Sequence, residues 1–73
     1  MSAEFKISIA GARVSAGLTQ QELARQVGVH RSTVVNWEKG KTLPDLPHLR
    51  LIEKVTGIPK DYIFLPTNLP KVD

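Results

Sequence analysis

The stretch Gly17-Leu18-Thr19-Gln20-Gln21-Glu22-Leu23-Ala24-Arg25-Gln26-Val27-Gly28-Val29-His30-Arg31-Ser32-Thr33-Val34-Val35-Asn36-Trp37-Glu38-Lys39-Gly40-Lys41 decides the fold. It holds a helix start, a helix stop and a second, two-faced helix in close succession. Thr19-Gln20-Gln21-Glu22 has capping-box spacing: the Thr19 hydroxyl can accept from the Glu22 amide while the Glu22 carboxylate reaches back to the Thr19 amide. A helix begins there, and Leu23, Ala24 and Val27 form its buried side. Gly28 supplies the residue that tolerates the left-handed conformation at its end. The next helix spans about Arg31 to Lys39. Counted from Arg31, Val35, Lys39, Ser32 and Asn36 fall between about 40° and 140°, and Thr33, Trp37, Val34 and Glu38 between about 200° and 340°. The second group holds the large apolar anchors Val34 and Trp37 and must face a core. The first sets Arg31, Ser32, Asn36 and Lys39 around one small apolar residue, Val35.

Outward from this block, Gly and Pro cut the chain into pieces too short for anything but short helices. A first helix from about Phe5 to Ala16 places Phe5, Ile9, Ala12 and Ala16 on one stripe, although Ile7, Ile9, Gly11 and Val14 lower its propensity. A fourth begins at Asp45 as N-cap, tolerates Pro47 in its first turn, and ends at Gly57. Its apolar stripe is Leu46, Leu49, Ile52 and Val55. A last helical turn, Pro59 to Phe64, supplies Tyr62 and Ile63 to close the core. No stretch alternates apolar and polar residues long enough to argue for a sheet. The expectation is an all-α domain of five short helices over residues 1–64, followed by a Pro-rich tail or linker over residues 65–73.

A length of 73 residues leaves room for one domain, and a chain of this size buries only about 60% of its unfolded surface. With no Cys, a disulfide framework and a thiolate metal site are excluded. The net charge is +3. Residues 1–44 carry six Lys/Arg against three Asp/Glu, and residues 45–73 four against four, so the excess lies in the N-terminal part and hints at an anionic partner. His30 and His48 fall on different elements, which argues against a metal site. Ser32, a His and Asp45 lack a strained nucleophile turn or an oxyanion nest. Gly40-Lys41-Thr42 looks like the end of a phosphate-binding loop, but the preceding Gly and strand are missing. No enzymatic activity, cofactor, small-molecule substrate or membrane association is expected, and a cytoplasmic location is.

The second and third helices are separated only by Gly28-Val29-His30, which is helix-turn-helix spacing. So short a turn makes the helices cross steeply, and Ala24 supplies the small side chain that the crossing needs. From Gly17-Leu18-Thr19-Gln20-Gln21-Glu22-Leu23-Ala24 through Gly28-Val29 and Arg31-Ser32-Thr33-Val34 to Asn36-Trp37-Glu38-Lys39-Gly40-Lys41, the chain resembles the phage repressor and Cro (Xre) family. The resemblance covers about residues 5 to 64. It implies a lambda-repressor-like domain that binds double-stranded operator DNA. On the family pattern, Thr19 and Gln20 would touch phosphates, as would Lys39 and Lys41. Arg31, Ser32, Val35 and Asn36 would read bases in the major groove. Arg13 and Glu38 match a pair that in many members forms a buried salt bridge between the first and third helices. The chain departs from the family at His30, where Ser or Thr is usual, and at Glu53 and Thr56, where a small residue and Leu are usual.

One reading helix offers too few side chains to select a site within a genome. A homodimer on a palindromic operator is therefore expected, weakly paired off DNA, with half-sites about 34–36 Å apart. Its interface would come from Ile58, Tyr62, Phe64, Leu65 and Pro66. The favoured function is a sequence-specific transcriptional regulator of the phage-repressor type. Two rivals are an antitoxin-like autoregulator, which needs a docking segment that only residues 65–73 could supply, and a helical interaction module without DNA binding. The basic face of Arg31, Asn36 and Lys39 argues against the last.

Overall fold

The computed structural model describes residues 6–66. Two extended residues, Ile7–Ser8 (β1), lead into a helix over Ile9–Ser15 (α1). Helices follow over Gln20–Val27 (α2), Arg31–Lys39 (α3) and Leu46–Thr56 (α4). A 3-10 turn over Lys60–Tyr62 then delivers the chain into Ile63–Phe64 (β2), which pairs in parallel with β1 in the register Ile7 to Ile63 and Ser8 to Phe64.

The described residues thus hold four α-helices and a small parallel strand pair, which corrects the expectation of an all-α, five-helix domain. Where a fifth helix was expected, the backbone turns once and becomes extended at Ile63, with φ −90° and ψ 122°. The first helix starts at Ile9 because Ser8 stays extended and caps it, its Oγ accepting from the Gly11 amide at 2.9 Å. Ala16 is the cap that closes α1 rather than a member of it. Phe5, expected on the stripe of this helix, lies outside the described residues, as does most of the expected tail, residues 67–73.

Local rules account for the other boundaries. Both halves of the capping box form, at 3.0 Å from the Glu22 amide to Thr19 Oγ1 and 2.8 Å from the Thr19 amide to Glu22 Oε1. Asp45 caps α4, and Gly57 closes it.

The core is Ile9, Ala12, Leu23, Ala24, Val27, Val34, Trp37, Ile52 and Ile63, with Leu18, Val29, Val55, Ile58 and Leu65 packed against it. Burying each large aliphatic member contributes about 1.5–3 kcal/mol relative to leaving it in water. Two residues assigned to the core from sequence are instead exposed: Leu46 at 48% and Tyr62 at 52%. Leu46 lies at the first position of α4, on the side away from Ile52, and Tyr62 points out from the turn that buries its neighbour Ile63. No helix among the described residues is long and apolar enough to cross a membrane.

Candidate nucleic-acid interface

The site is built from the turn between α2 and α3. Gly28 takes φ 78°, and the Val29 amide donates back to the Ala24 carbonyl at 3.0 Å, which closes α2 and redirects the chain within three residues. Ala24 is fully buried where the helices approach each other. Val34 and Trp37 anchor α3 in the core, so its opposite face must point outward.

That outward face carries Arg31, Ser32 and Lys39 exposed, with Val35 and Asn36 half-buried between them. Sequence reasoning placed all five there. The amino end of α3 has no side-chain cap, because His30 makes no hydrogen bond to it. Uncapped amides and the positive end of the helix dipole therefore sit beside the Arg31 guanidinium, a pairing that repels itself and attracts anions. At the other end, Gly40 adopts φ 79° and the Lys41 amide donates to the Asn36 carbonyl at 2.9 Å. The Lys41 backbone is thus held, and its side chain exposed, just beyond the outward face of α3.

Arg13 and Glu38 meet. Arg13 Nε lies 2.6 Å from Glu38 Oε2 and Nη2 3.2 Å from Oε1, with 15% and 8% of the two side chains exposed. Arg13 Nη1 also donates to the Leu18 carbonyl at 2.9 Å. The Gln20 side-chain nitrogen donates to Glu38 Oε1 at 3.0 Å. Sequence reasoning assigned Gln20 to phosphate alone and did not anticipate this contact, since nothing local links positions 20 and 38. Gln20 keeps one N–H free for an anion. Glu38 therefore ties α1, the amino end of α2 and α3 into one rigid unit.

A second feature escaped residue-by-residue reading. With the Thr19 and Glu22 amides consumed by the capping box, the Gln20 and Gln21 amides remain at the start of α2 without a partner among the described residues. Amides so placed are suited to a phosphate. The capping box itself was the available signal, because it states which amides are used. The Thr19 hydroxyl accepts from Glu22 and still has its own proton to donate.

No cluster of His, Cys, Asp or Glu among the described residues could hold a metal ion. Asp45 and His48 are engaged with each other, Nδ1 of the ring 2.7 Å from Oδ1, and the His48 ring lies 5.5 Å from that of Trp37.

The family model described as helix-turn-helix matches residues 9–63. The chain is 34% identical over 58 residues to the HTH-type transcriptional activator BcrR of Enterococcus faecalis, a match covering 80% of this chain and 28% of that protein. It is 48% identical over 46 residues to an uncharacterized HTH-type transcriptional regulator of Archaeoglobus fulgidus, covering 63% of this chain and 61% of the relative. Multiprotein-bridging factor 1c of Arabidopsis thaliana is 33% identical over 58 residues, covering 80% of this chain and 39% of that protein. The matched stretch is thus less than two thirds of the length of each of these three relatives. No solved structure matches significantly. With a two-faced α3 held against α2 by a three-residue turn, and with the family model spanning both, the chain belongs to the helix-turn-helix family of the phage repressor and Cro type.

Proposed function

We propose that this chain is a DNA-binding transcriptional regulator rather than an enzyme, and that α3 reads duplex DNA through the major groove. One observation carries the reading: the outward face of α3 gathers Arg31, Ser32, Val35, Asn36 and Lys39 on a helix whose other face is locked in the core. Arg31 suits a guanine edge, Asn36 an adenine edge, and Val35 a thymine methyl. Thr19, Gln20, Lys39 and Lys41 would hold the flanking phosphates and fix the register. The named relatives, two of them transcriptional regulators, support the same assignment.

Within it, we take the chain for a phage-type repressor acting as a homodimer on a palindromic operator. Tyr62 and Phe64 are half exposed on the C-terminal turn and strand, and Ile58, Leu65 and Pro66, near them in sequence, are partly buried. Such a patch is small, so pairing off DNA would be weak. Selection of bound sites from a random duplex pool tests the whole reading. A recovered palindrome supports it, a recovered single half-site removes the dimer, and no enrichment over the starting pool removes DNA recognition.

A further inference from the structure

We propose that the outer face of α4 is a docking surface for an acidic amphipathic segment of a partner protein. Two ridges run along this helix at four-residue spacing: Leu46, Arg50 and Lys54 on one, Pro47 and Leu51 on the next. All five are exposed, Leu46 at 48% and Leu51 at 37%. The apolar side chains lie towards the first two turns and the cations towards the last two.

Arg50 and Lys54 make no salt bridge among the described residues. Like charges at this spacing disfavour each other. Lys54 gains from its place in the last turn of the helix, but Arg50, mid-helix, has no such reason. Glu53, seven residues after Leu46 and three after Arg50 on the same helix, is half-buried and forms no salt bridge with either cation.

This face lies on a different helix from the proposed DNA-reading one. Helix α2 packs against both α3 and α4, and Ile52 points inward from α4 to the shared core. The ridges of Leu46 and Leu51 face the other way.

The chemistry selects the occupant. Phosphates would satisfy Arg50 and Lys54 but offer nothing to two leucines and a proline. Among the described residues of a second copy, the exposed carboxylates already have partners, Glu22 in the Thr19 amide, Asp45 in His48 and Asp61 in Lys60 at 3.6 Å, so it offers this surface less than a separate acidic segment would. A helix or strand with aliphatic anchors and neighbouring Asp or Glu satisfies both halves of the surface.

The test titrates the 15N-labelled full chain with a synthetic amphipathic peptide carrying Leu at four-residue spacing and Glu between. A duplex containing the selected site is titrated in parallel. The expected result is amide shifts confined to α4 with the peptide and to α2 and α3 with the duplex. The double variant Arg50→Gln/Lys54→Gln should weaken peptide binding by at least about threefold, consistent with charge complementarity, while the duplex-induced shifts stay on α2 and α3. Leu51→Ala should weaken the peptide as well, which separates apolar docking from charge attraction alone. Peptide shifts on Arg31, Lys39 and Lys41 instead, or no shifts, would overturn the proposal. So would duplex-induced shifts at Arg50 and Lys54, or self-association that the double variant abolishes. Duplex binding failing while the peptide still docks on α4 would remove the DNA reading and leave this one standing.

Discussion

Arg13 grips Glu38 through two nitrogens across 25 residues of chain, one contact at 2.6 Å and the other at 3.2 Å, in a setting where 15% and 8% of the side chains remain exposed. Truncating one partner of such a pair strands the other charge away from water. Glu38→Ala should therefore destabilise the fold by about 3–5 kcal/mol, against about 0–1 kcal/mol for a surface pair. It also removes the acceptor of Gln20. Urea denaturation checks this, and a midpoint equal to the parent's would show that the pair contributes nothing.

Recognition should divide cleanly between two kinds of residue. Arg31→Ala and Asn36→Ala should each weaken binding to a selected site by roughly 1–3 kcal/mol and relax base preference at one position. Lys41→Ala should weaken all sequences alike and reduce the salt slope by about one. Competition binding at several salt concentrations distinguishes the two, and unchanged affinity and preference in Arg31→Ala would refute the proposed reading face.

Gly28 and Gly40 share nearly the same backbone, φ 78° and φ 79°, but not the same surroundings. A Cβ on Gly28 meets nothing within 4 Å, whereas on Gly40 it would sit 3.0 Å from Pro66 Cγ. Gly28→Ala should cost only the left-handed strain, about 1–2 kcal/mol. Gly40→Ala should cost more, because Pro66 must also give way. Equal losses in paired melts would mean that Pro66 does not press on the end of α3.

Asp45 titrates below its ordinary value of 3.8, first because its carboxylate accepts from the His48 amide and next because it accepts from the His48 ring. A carboxyl with a lowered folded-state value adds stability that is fully present above the unfolded value and is lost as pH falls through the folded one. Asp45→Ala should therefore lower the melting temperature at neutral pH, with a gap to the parent that narrows as pH falls below 3.8 and closes only through the lower folded-state value, where the parent's carboxylate protonates in the folded protein. A gap that persists unchanged into acid would place the effect elsewhere.

If Tyr62 and Phe64 form the dimer contact, Phe64→Asp should leave the affinity for an isolated half-site unchanged and abolish the advantage of the full palindrome. Gel-shift titration on the two duplexes measures that ratio. A palindrome advantage intact in the variant would move the interface away from this patch.

Much of this protein was legible in its sequence because the signals are local. The Thr19 to Glu22 capping box, the Asp45 cap, and the glycines after α2, α3 and α4 each act within a few residues, so those boundaries could be read directly. The two faces of α3 follow from helical spacing alone, and the buried Val34 and Trp37 against exposed Arg31 and Ser32 obey it. Tertiary structure alone decided what joins distant positions. The β1–β2 pair uses two residues at each end, too few for alternation to show, and exists because Ile63 is drawn into the core beside Ile9. Gln20 reaches Glu38 across 18 positions for the same kind of reason. Packing of the helices places their side chains within 3.0 Å, a distance that no periodicity encodes. Leu46 and Tyr62, apolar enough to be assigned inside, were left outside because the core of so small a domain has room for only part of the apolar surface the chain offers.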